Sequence, residues 1–313
     1  MRSCAPDFSN VDPASGSGAP VRLRLICATP VPFAENGDLD VGGLTPLFAS
    51  LRAAGVRDVF VAGTTGEFIA LSDDERIRVI SAALDVFGPG GVFAHVGAAT
   101  ARDAARLTRR AAQAGARRFA AITPYFLKAG PRALRRYYEA IAEELAGGEL
   151  YAYIFRAHTT TDVSPDTLAE LSAIGGMRGA KVSGVPASEI AQYTAVAPRD
   201  FSIFSGNDGD VFELPSIGAA GLVSGVCSVF PSVFVGAIAA INEGGAIERY
   251  RRDVDLAVNA VAGGDIGLLK AGLSLLGLPA GPLRVSLEPP ERGALRQLER
   301  RIGEIGSDRA VQV

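Results

Sequence analysis

Residues that build metal sites and disulfide frameworks are scarce in this sequence. It contains two histidines, His95 and His158, and three scattered cysteines, Cys4, Cys27 and Cys227. Neither a C-x-x-C pair nor an H-E-x-x-H cluster occurs, which argues against a zinc site. The odd number of scattered cysteines argues against a disulfide framework and fits the reducing cytoplasm.

The bulk composition argues against nucleic acids and membranes as partners. The net charge is −3 and the pI is about 5.6, so the chain lacks the basic surface that attracts polyanions. No apolar run reaches the roughly 18–20 residues of a membrane-spanning helix. Residues 1–20 lack the basic and apolar regions of a signal peptide, and their composition predicts a disordered leader. We therefore expect a cytoplasmic protein.

From residue 21 onward the chain repeats a short apolar run, a loop of small residues and an amphipathic segment. Alternating strand and helix patterns predict a parallel sheet with helices outside it. Eight such units in roughly 220 residues fit a (β/α)8 TIM barrel better than an open sheet. We predict the barrel over 21–245 and a C-terminal helical extension of the same domain over 246–313. The strand-like runs are 21–28, 57–63, 92–97, 117–123, 150–155, 178–183, 201–206 and 219–225.

Lysine is also rare, because only Lys128, Lys181 and Lys270 stand among 31 basic residues. Lys181 lies near the end of the sixth strand-like run, 178-RGAKVS-183. A lysine in an apolar strand loses hydration, which favours the neutral amine, and a neutral amine forms a Schiff base with a ketone or aldehyde. Arginine stays protonated and forms no imine. The alternative is a lysine whose ammonium simply reaches the strand end. We predict that Lys128 and Lys270 are surface residues.

Other polar groups also fall at predicted strand ends, where barrel enzymes carry their active sites. Tyr153, in the fifth run, is placed to relay protons beside an imine or, alternatively, to fill the barrel. The glycines of 63-GTTGEF-68 permit close approach of a ligand, and Thr64 and Thr65 offer donors to a small carboxylate. The alternative is a turn that caps the next helix. We interpret Glu67 as a structural hydrogen-bonding residue and His95 as an interior histidine.

With these residues placed, the chain resembles the dihydrodipicolinate synthase and N-acetylneuraminate lyase family of class I aldolases and lyases. The resemblance covers roughly residues 22–300. Its most specific elements are GTTGE at 63–67 with L-S-x-x-E-R at 71–76, T-P-Y at 123–125, the spacing of Tyr153 and Lys181, and SGND at 205–208. The resemblance implies a barrel with C-terminal helices, assembled as a homo-oligomer, a dimer or a tetramer.

The resemblance also implies catalytic roles. Lys181 would form a Schiff base with pyruvate or another 2-keto acid, and Tyr153 would relay protons. Thr64 and Thr65 would bind the carboxylate of the 2-keto acid, and Thr64 would also orient Tyr153.

The resemblance further implies that Gly206 and Val223 line the substrate pocket. Neither a metal nor an organic cofactor is implied, because the protonated imine is itself the electron sink.

Two departures from the synthase pattern concern the second substrate. The usual T-P-Y-Y is 123-TPYF-126, so Phe126 replaces a tyrosine that would complete a proton relay across a dimer interface. The arginine that would bind the carboxylate of the second substrate falls on His158, in 153-YIFRAHTT-160. Arg156 is placed to hold a distal carboxylate and His158 to contact substrate hydroxyls, although both residues also suit a polar loop without function.

Three functions follow from this pattern. The first is a Schiff-base lyase or aldolase on a different second substrate, such as a 2-keto-3-deoxy sugar acid, either as an aldolase or as a dehydratase. The second is dihydrodipicolinate synthase itself, which joins pyruvate and aspartate semialdehyde in lysine biosynthesis. The third is a non-catalytic protein that binds 2-keto acids. We favour the first, because the residues that handle the 2-keto acid are intact while those for the second substrate differ.

Overall fold

A computed structural model describes residues 22–310, in which eight parallel strands close into a barrel. Each strand pairs with the next along the chain, and β8 pairs with β1. The predicted TIM-barrel fold with a C-terminal helical extension is therefore confirmed. The strands are β1 Arg24–Ala28, β2 Asp58–Val61, β3 Val92–His95, β4 Arg118–Ile122, β5 Glu149–Ile154, β6 Met177–Val182, β7 Ser202–Ser205 and β8 Gly221–Ser224.

The helices lie outside the barrel and beyond its last strand. They are α1 Val41–Ala53, α2 Asp73–Phe87, α3 Ala101–Gln113, α4 Pro131–Ala142, α5 Arg156–Thr159, α6 Pro165–Ser172, α7 Ala187–Val196, α8 Pro231–Glu243, α9 Glu248–Ala260, α10 Ile266–Leu275 and α11 Arg292–Ala310.

One repeat departs from the predicted pattern. Between β7 and β8 the described chain forms a short 3-10 turn, Asp208–Asp210, and further turns instead of an α-helix. This connection is short, and it contains Gly209 and Pro215, which both disfavour a continuous helix.

Local sequence signals account for several helix boundaries. The Thr100 side chain caps α3 by accepting a hydrogen bond of 3.1 Å from the backbone N–H of Asp103. Gly115 follows this helix with a φ of +104°, a conformation that favours glycine. Pro131 begins α4, where its missing N–H costs no helical hydrogen bond.

Two apolar layers hold the barrel together. The inner layer fills the barrel with alternate residues of the strands, among them Phe60, Phe93, Tyr151 and Phe204. The outer layer packs the other strand faces against the helices. Because successive side chains of a strand point to opposite faces, the same alternation decides which polar residues enter the barrel.

No helix among residues 22–310 combines the length and the apolar character needed to cross a bilayer. The leader predicted for residues 1–20 lies outside the described residues. The boundary between barrel and extension near residue 245 stays a prediction.

Candidate active site

Lys181 and Tyr153 lie side by side inside the barrel. They are register partners on the neighbouring strands β6 and β5, so their side chains point the same way. The Lys181 side chain lies among aromatic rings, with Nζ 4.3 Å from the centre of the Tyr153 ring and 4.9 Å from that of Phe60. Only 8% of Lys181 is exposed. The amine is thus confined between the faces of two aromatic rings.

Thr64 and Thr65, in the turn after β2, face different parts of the barrel mouth. The Thr64 hydroxyl lies 3.2 Å from the Tyr153 hydroxyl, close enough for a hydrogen bond in which either group donates. Thr65 faces the end of β8, since a Cβ at Gly225 would lie 3.5 Å from the Thr65 Oγ1. The turn that carries both threonines therefore connects β2 with residues on β5 and β8.

The end of β7 leaves room beside Lys181 only because residue 206 is glycine. A Cβ at Gly206 would overlap the Ser183 hydroxyl and lie 3.1 Å from Cε of Lys181. The Ser183 hydroxyl is buried and has no hydrogen-bond partner among the described residues. An unpartnered buried hydroxyl therefore lies between the Gly206 backbone and Lys181.

The remaining predicted site residues divide into two groups. Val223 is buried inside the barrel on β8, and His158 lines the cavity at the barrel mouth. Arg156 is not brought to this cavity, because its guanidinium forms a two-pronged ion pair with Glu189 of α7 at 2.9 and 3.1 Å. The imidazole of His158 stacks on Phe155, with ring centres 3.9 Å apart, and partial burial lowers the pKa of His158.

A cavity of about 820 Å³ opens at Thr64 and extends outward from the barrel mouth. One wall follows β4 and contains Ile122, Tyr125 and Phe126. The facing wall belongs to the segment 282–287 between α10 and α11, here called the C-terminal strap. The cavity is large enough for a substrate of more than pyruvate size, because ligand pockets typically measure about 300–1,000 Å³.

A buried ion pair attaches the C-terminal strap to the barrel. Lys270 of α10 lies 2.6 Å from the Glu67 carboxylate and donates a 2.6 Å hydrogen bond to the backbone oxygen of Pro282. The other carboxylate oxygen of Glu67 accepts hydrogen bonds from the backbone N–H groups of Arg284 and Val285. The structural interpretation of Glu67 is thus confirmed. The prediction of Lys270 as a surface residue is wrong: it is 3% exposed, because its ammonium points inward to Glu67 and Pro282.

His95 is an interior residue, as predicted. Its side chain is fully buried, where Nε2 accepts a hydrogen bond from the backbone N–H of Ile122 and Nδ1 lies 2.9 Å from the backbone oxygen of Ala62. Burial, followed by the charge of Arg76, lowers the pKa of His95 well below its usual value. A neutral His95 therefore joins the ends of β2 and β4 and fixes the turn that carries Thr64.

Asp208 is a buried carboxyl group beside the site. It follows β7, and the Ser224 hydroxyl on β8 donates a hydrogen bond to it. Burial raises the pKa of Asp208 to about 7, although the bond from Ser224 and the charge of Lys181 act in the opposite direction. Asp208 therefore titrates near neutral pH. It lies two residues along the chain from Gly206.

We expect Asp208→Asn to remove a pH-dependent contribution to stability. Because the folded-state pKa is raised from 3.8 to about 7, the protonated carboxyl group stabilises the fold fully below pH 3.8, and this contribution is lost as the pH rises through 7. The native chain should therefore lose on the order of 4 kcal/mol relative to the variant between about pH 4 and about pH 8. Urea unfolding of both proteins across that range measures the difference. A difference that does not change with pH would contradict the prediction.

Sequence reasoning missed three features of this site. Asp208 belongs to the SGND motif, but only Gly206 of that motif was assigned a role. Ser183 lies two residues after Lys181, and this spacing alone places both side chains on one face of a strand. No local sequence pattern indicated that the C-terminal strap lines the cavity, because its position depends on contacts with Glu67, in the distant turn after β2.

Comparison with known proteins identifies the family. The model of the Dihydrodipicolinate synthetase family matches residues 22–305. A curated relative, 4-hydroxy-tetrahydrodipicolinate synthase 1 of Streptomyces coelicolor, is 31% identical over 291 residues, which is 91% of this chain and 94% of the relative.

Two solved structures share the fold. A monomeric dihydrodipicolinate synthase variant superposes with a TM-score of 0.84 at 26% identity, covering 91% of this chain and 97% of the other. A sialic acid aldolase of Ruminococcus gnavus, solved as a catalytic lysine mutant, gives a TM-score of 0.84 at 21% identity, covering 92% and 97%, and shows the fold alone. The match of the family model across nearly the whole described chain shows that this protein belongs to the dihydrodipicolinate synthetase family of lyases and aldolases.

Proposed function

We propose that the protein is a class I aldolase or lyase that forms a Schiff base between Lys181 and pyruvate or another 2-keto acid. The observation that carries this proposal is the placement of the Lys181 amine 4.3 Å from the Tyr153 ring, whose hydroxyl lies 3.2 Å from Thr64. A nucleophile, a proton relay and an orienting hydroxyl thus lie together inside one barrel mouth.

The chemistry follows from these positions. The Lys181 amine attacks the keto carbon, and the Tyr153 hydroxyl delivers the proton with which the carbinolamine oxygen leaves as water. The resulting iminium accepts electrons from the neighbouring carbon, so loss of a proton there gives an enamine. Attack of the enamine on an aldehyde forms a carbon–carbon bond, and the reverse sequence cleaves one.

The surrounding residues suit a small 2-keto acid. The hydroxyl and backbone N–H groups of Thr64 and Thr65 provide donors for its carboxylate. Gly206 leaves space beside Lys181, and Val223 provides an apolar surface. No cofactor is needed in this scheme, because the protein supplies the electron sink as the imine.

Borohydride trapping tests the proposal directly. Incubation with pyruvate followed by borohydride reduction should add the mass of a reduced pyruvate adduct, and peptide mapping should locate it on Lys181. A folded protein that gives no adduct with pyruvate or any other small 2-keto acid would overturn the proposal. Pyruvate binding that survives loss of Lys181 without turnover would instead favour a non-catalytic 2-keto-acid-binding protein.

Dihydrodipicolinate synthase is the second candidate, favoured by the name of the Streptomyces coelicolor relative. The presence of Phe126 argues against this candidate, because phenylalanine lacks the hydroxyl of the tyrosine in the synthase pattern. The protein's activity on aspartate semialdehyde with pyruvate should be compared with its activity on the 2-keto-3-deoxy sugar acids that the sequence favours. A higher kcat/KM for aspartate semialdehyde with pyruvate than for every other second substrate would establish the synthase.

We expect Tyr153→Phe to lower kcat by about 10²–10⁴-fold, the usual contribution of one general acid or base. The ring remains to pack against Lys181 while the hydroxyl that bonds Thr64 is lost. Stopped-flow measurement of imine formation with pyruvate separates this chemical step from binding. Unchanged rates would show that the hydroxyl takes no part in proton transfer.

We also propose that the protein assembles as a homodimer or homotetramer and works in the cytoplasm. Leu127, which follows the cavity-lining Phe126, is a large apolar side chain with 75% of its surface exposed, as is typical of a surface that a partner covers. The buried Cys27 and Cys227 are free thiols, which fits a reducing compartment. Sedimentation velocity of the full chain tests the assembly, and a monomer at all concentrations would contradict it.

A further inference from the structure

We propose that the second substrate is an uncharged aldehyde with an apolar, and preferably aromatic, substituent. This inference rests on the proposed function, because it concerns the part of the cavity beyond the 2-keto acid. The walls there are mainly apolar and come from three parts of the chain. They include Ile69, Ile122, Tyr125, Phe126, Ile266 and Leu287.

The two oppositely charged residues on these walls are already engaged. The guanidinium of Arg284 donates to the backbone oxygens of Gly37 and Ala70 at 2.9 Å each and to the Glu75 carboxylate at 2.7 Å. Glu67 is held by Lys270 and by the backbone of the C-terminal strap. Both charges are therefore already paired, Arg284 with Glu75 and Glu67 with Lys270.

The other polar candidates do not supply a positive charge either. Arg156 is paired with Glu189 away from the cavity. His158 lines the cavity, but burial lowers its pKa, so at neutral pH it presents the face of an uncharged ring stacked on Phe155. Among the described residues that line the cavity beyond Thr64, no unpaired cation therefore remains. An anionic acceptor would lose hydration there and would meet no unpaired cation.

The apolar walls do favour an aromatic acceptor. Phe126 lies at the cavity mouth with 87% of its surface exposed and with a backbone φ of +76°, a conformation that is costly for a bulky residue. Tyr125 packs edge-to-face against Phe68, with ring centres 5.7 Å apart, and both line the cavity. An aromatic ring placed between these walls would bury apolar surface and meet further ring edges, both of which stabilise binding.

The reaction balances without any further reagent. The enamine carbon derived from the methyl group of pyruvate attacks the aldehyde carbon, and one carbon–carbon bond forms. The electrons of the aldehyde double bond move to its oxygen, which takes a proton, while the nitrogen returns to the iminium. Water then adds to the iminium carbon and releases the Lys181 amine. The product is a 4-hydroxy-2-keto acid that carries the apolar group, and cleavage is the same sequence in reverse.

The test compares benzaldehyde with 4-carboxybenzaldehyde and glyceraldehyde, each with pyruvate and the full-length protein. Benzaldehyde and 4-carboxybenzaldehyde differ by a single carboxylate, and glyceraldehyde represents the sugar acids. We expect kcat/KM for benzaldehyde to exceed both other values by about tenfold or more, because an apolar pocket leaves charged and hydroxyl groups without partners. Equal or higher values for either polar aldehyde would overturn the inference.

A matched pair of variants tests whether the C-terminal strap sets this preference. Leu287→Arg places a cation on the cavity wall, whereas Leu276→Arg places one on a comparably exposed leucine outside it. We expect Leu287→Arg to reduce the preference for benzaldehyde over 4-carboxybenzaldehyde by about threefold or more, in line with one partly exposed ion pair. Leu276→Arg should leave the ratio unchanged. A ratio that Leu287→Arg does not alter would remove the strap from the specificity site.

Borohydride trapping in the same samples keeps the two proposals distinguishable. An adduct on Lys181 without a preference for benzaldehyde would overturn the inference about the acceptor and leave the Schiff base in place. Absence of the adduct from folded protein would overturn the proposed function, and the acceptor inference with it.

Discussion

Replacing Lys181 with arginine is expected to abolish the borohydride-stable pyruvate adduct and to lower kcat by at least about 10³-fold. Arginine has a similar length and can also pack against the Tyr153 and Phe60 rings, so these contacts are largely retained. It cannot lose its proton to become a nucleophile, so no imine forms. Intact-mass spectrometry after trapping and steady-state kinetics measure the two effects.

The scarcity of lysine makes this experiment unusually well controlled. Lys128 is exposed, so Lys128→Arg is a matched substitution that should leave both the adduct and kcat unchanged. Peptide mapping has only three side-chain amines to distinguish. An adduct that persists in Lys181→Arg, or that disappears in Lys128→Arg, would show that the imine forms elsewhere.

Replacing Lys270 with methionine is expected to lower the free energy of unfolding by about 3–5 kcal/mol. Methionine preserves much of the side-chain volume, but it leaves the fully buried Glu67 carboxylate without its cation. The hydrogen bond to Pro282 is lost as well. Urea unfolding, followed by circular dichroism at neutral pH, measures the change.

The double variant Glu67→Gln with Lys270→Met separates the ion pair from simple loss of packing. Because it removes both charges, it should be more stable than Lys270→Met alone, which gives a favourable coupling in a double-mutant cycle. If Lys270→Met unfolds at the same urea concentration as the native chain, then Glu67 is not stabilised by Lys270. If the double variant is the less stable of the two, then the uncompensated charge is not the cause.

The barrel could be predicted from the sequence because its strands carry a strong local signal. The run predicted over 178–183 is observed as Met177–Val182, and the run over 150–155 is observed as Glu149–Ile154. Since consecutive parallel strands of a barrel are neighbours, the adjacency of Tyr153 and Lys181 followed from their positions in these runs. The contact of Tyr153 with Thr64 followed only from the family resemblance.

The parts that could not be predicted depend on pairs of residues far apart in sequence. Nothing near Arg156 indicates that Glu189 will hold its guanidinium, and the two meet only because α5 and α7 follow neighbouring strands. The same applies to the pairing of Lys270 with Glu67. The apolar sequence IGLLKAGLSL around Lys270 did, however, indicate that this lysine could be buried. A lone lysine in a mainly apolar helix is a candidate for burial, and a buried lysine requires an anion.

The distribution of the three lysines also has a consequence for chemical labelling. Lys181 is confined between aromatic rings and Lys270 is buried in an ion pair, so an amine-reactive dye meets only one exposed lysine side chain, Lys128. This residue lies two positions along the chain from Phe126, which lines the cavity. A fluorophore attached to Lys128 would therefore be the one label on an exposed lysine, and it would lie close to the substrate entrance without any engineered cysteine.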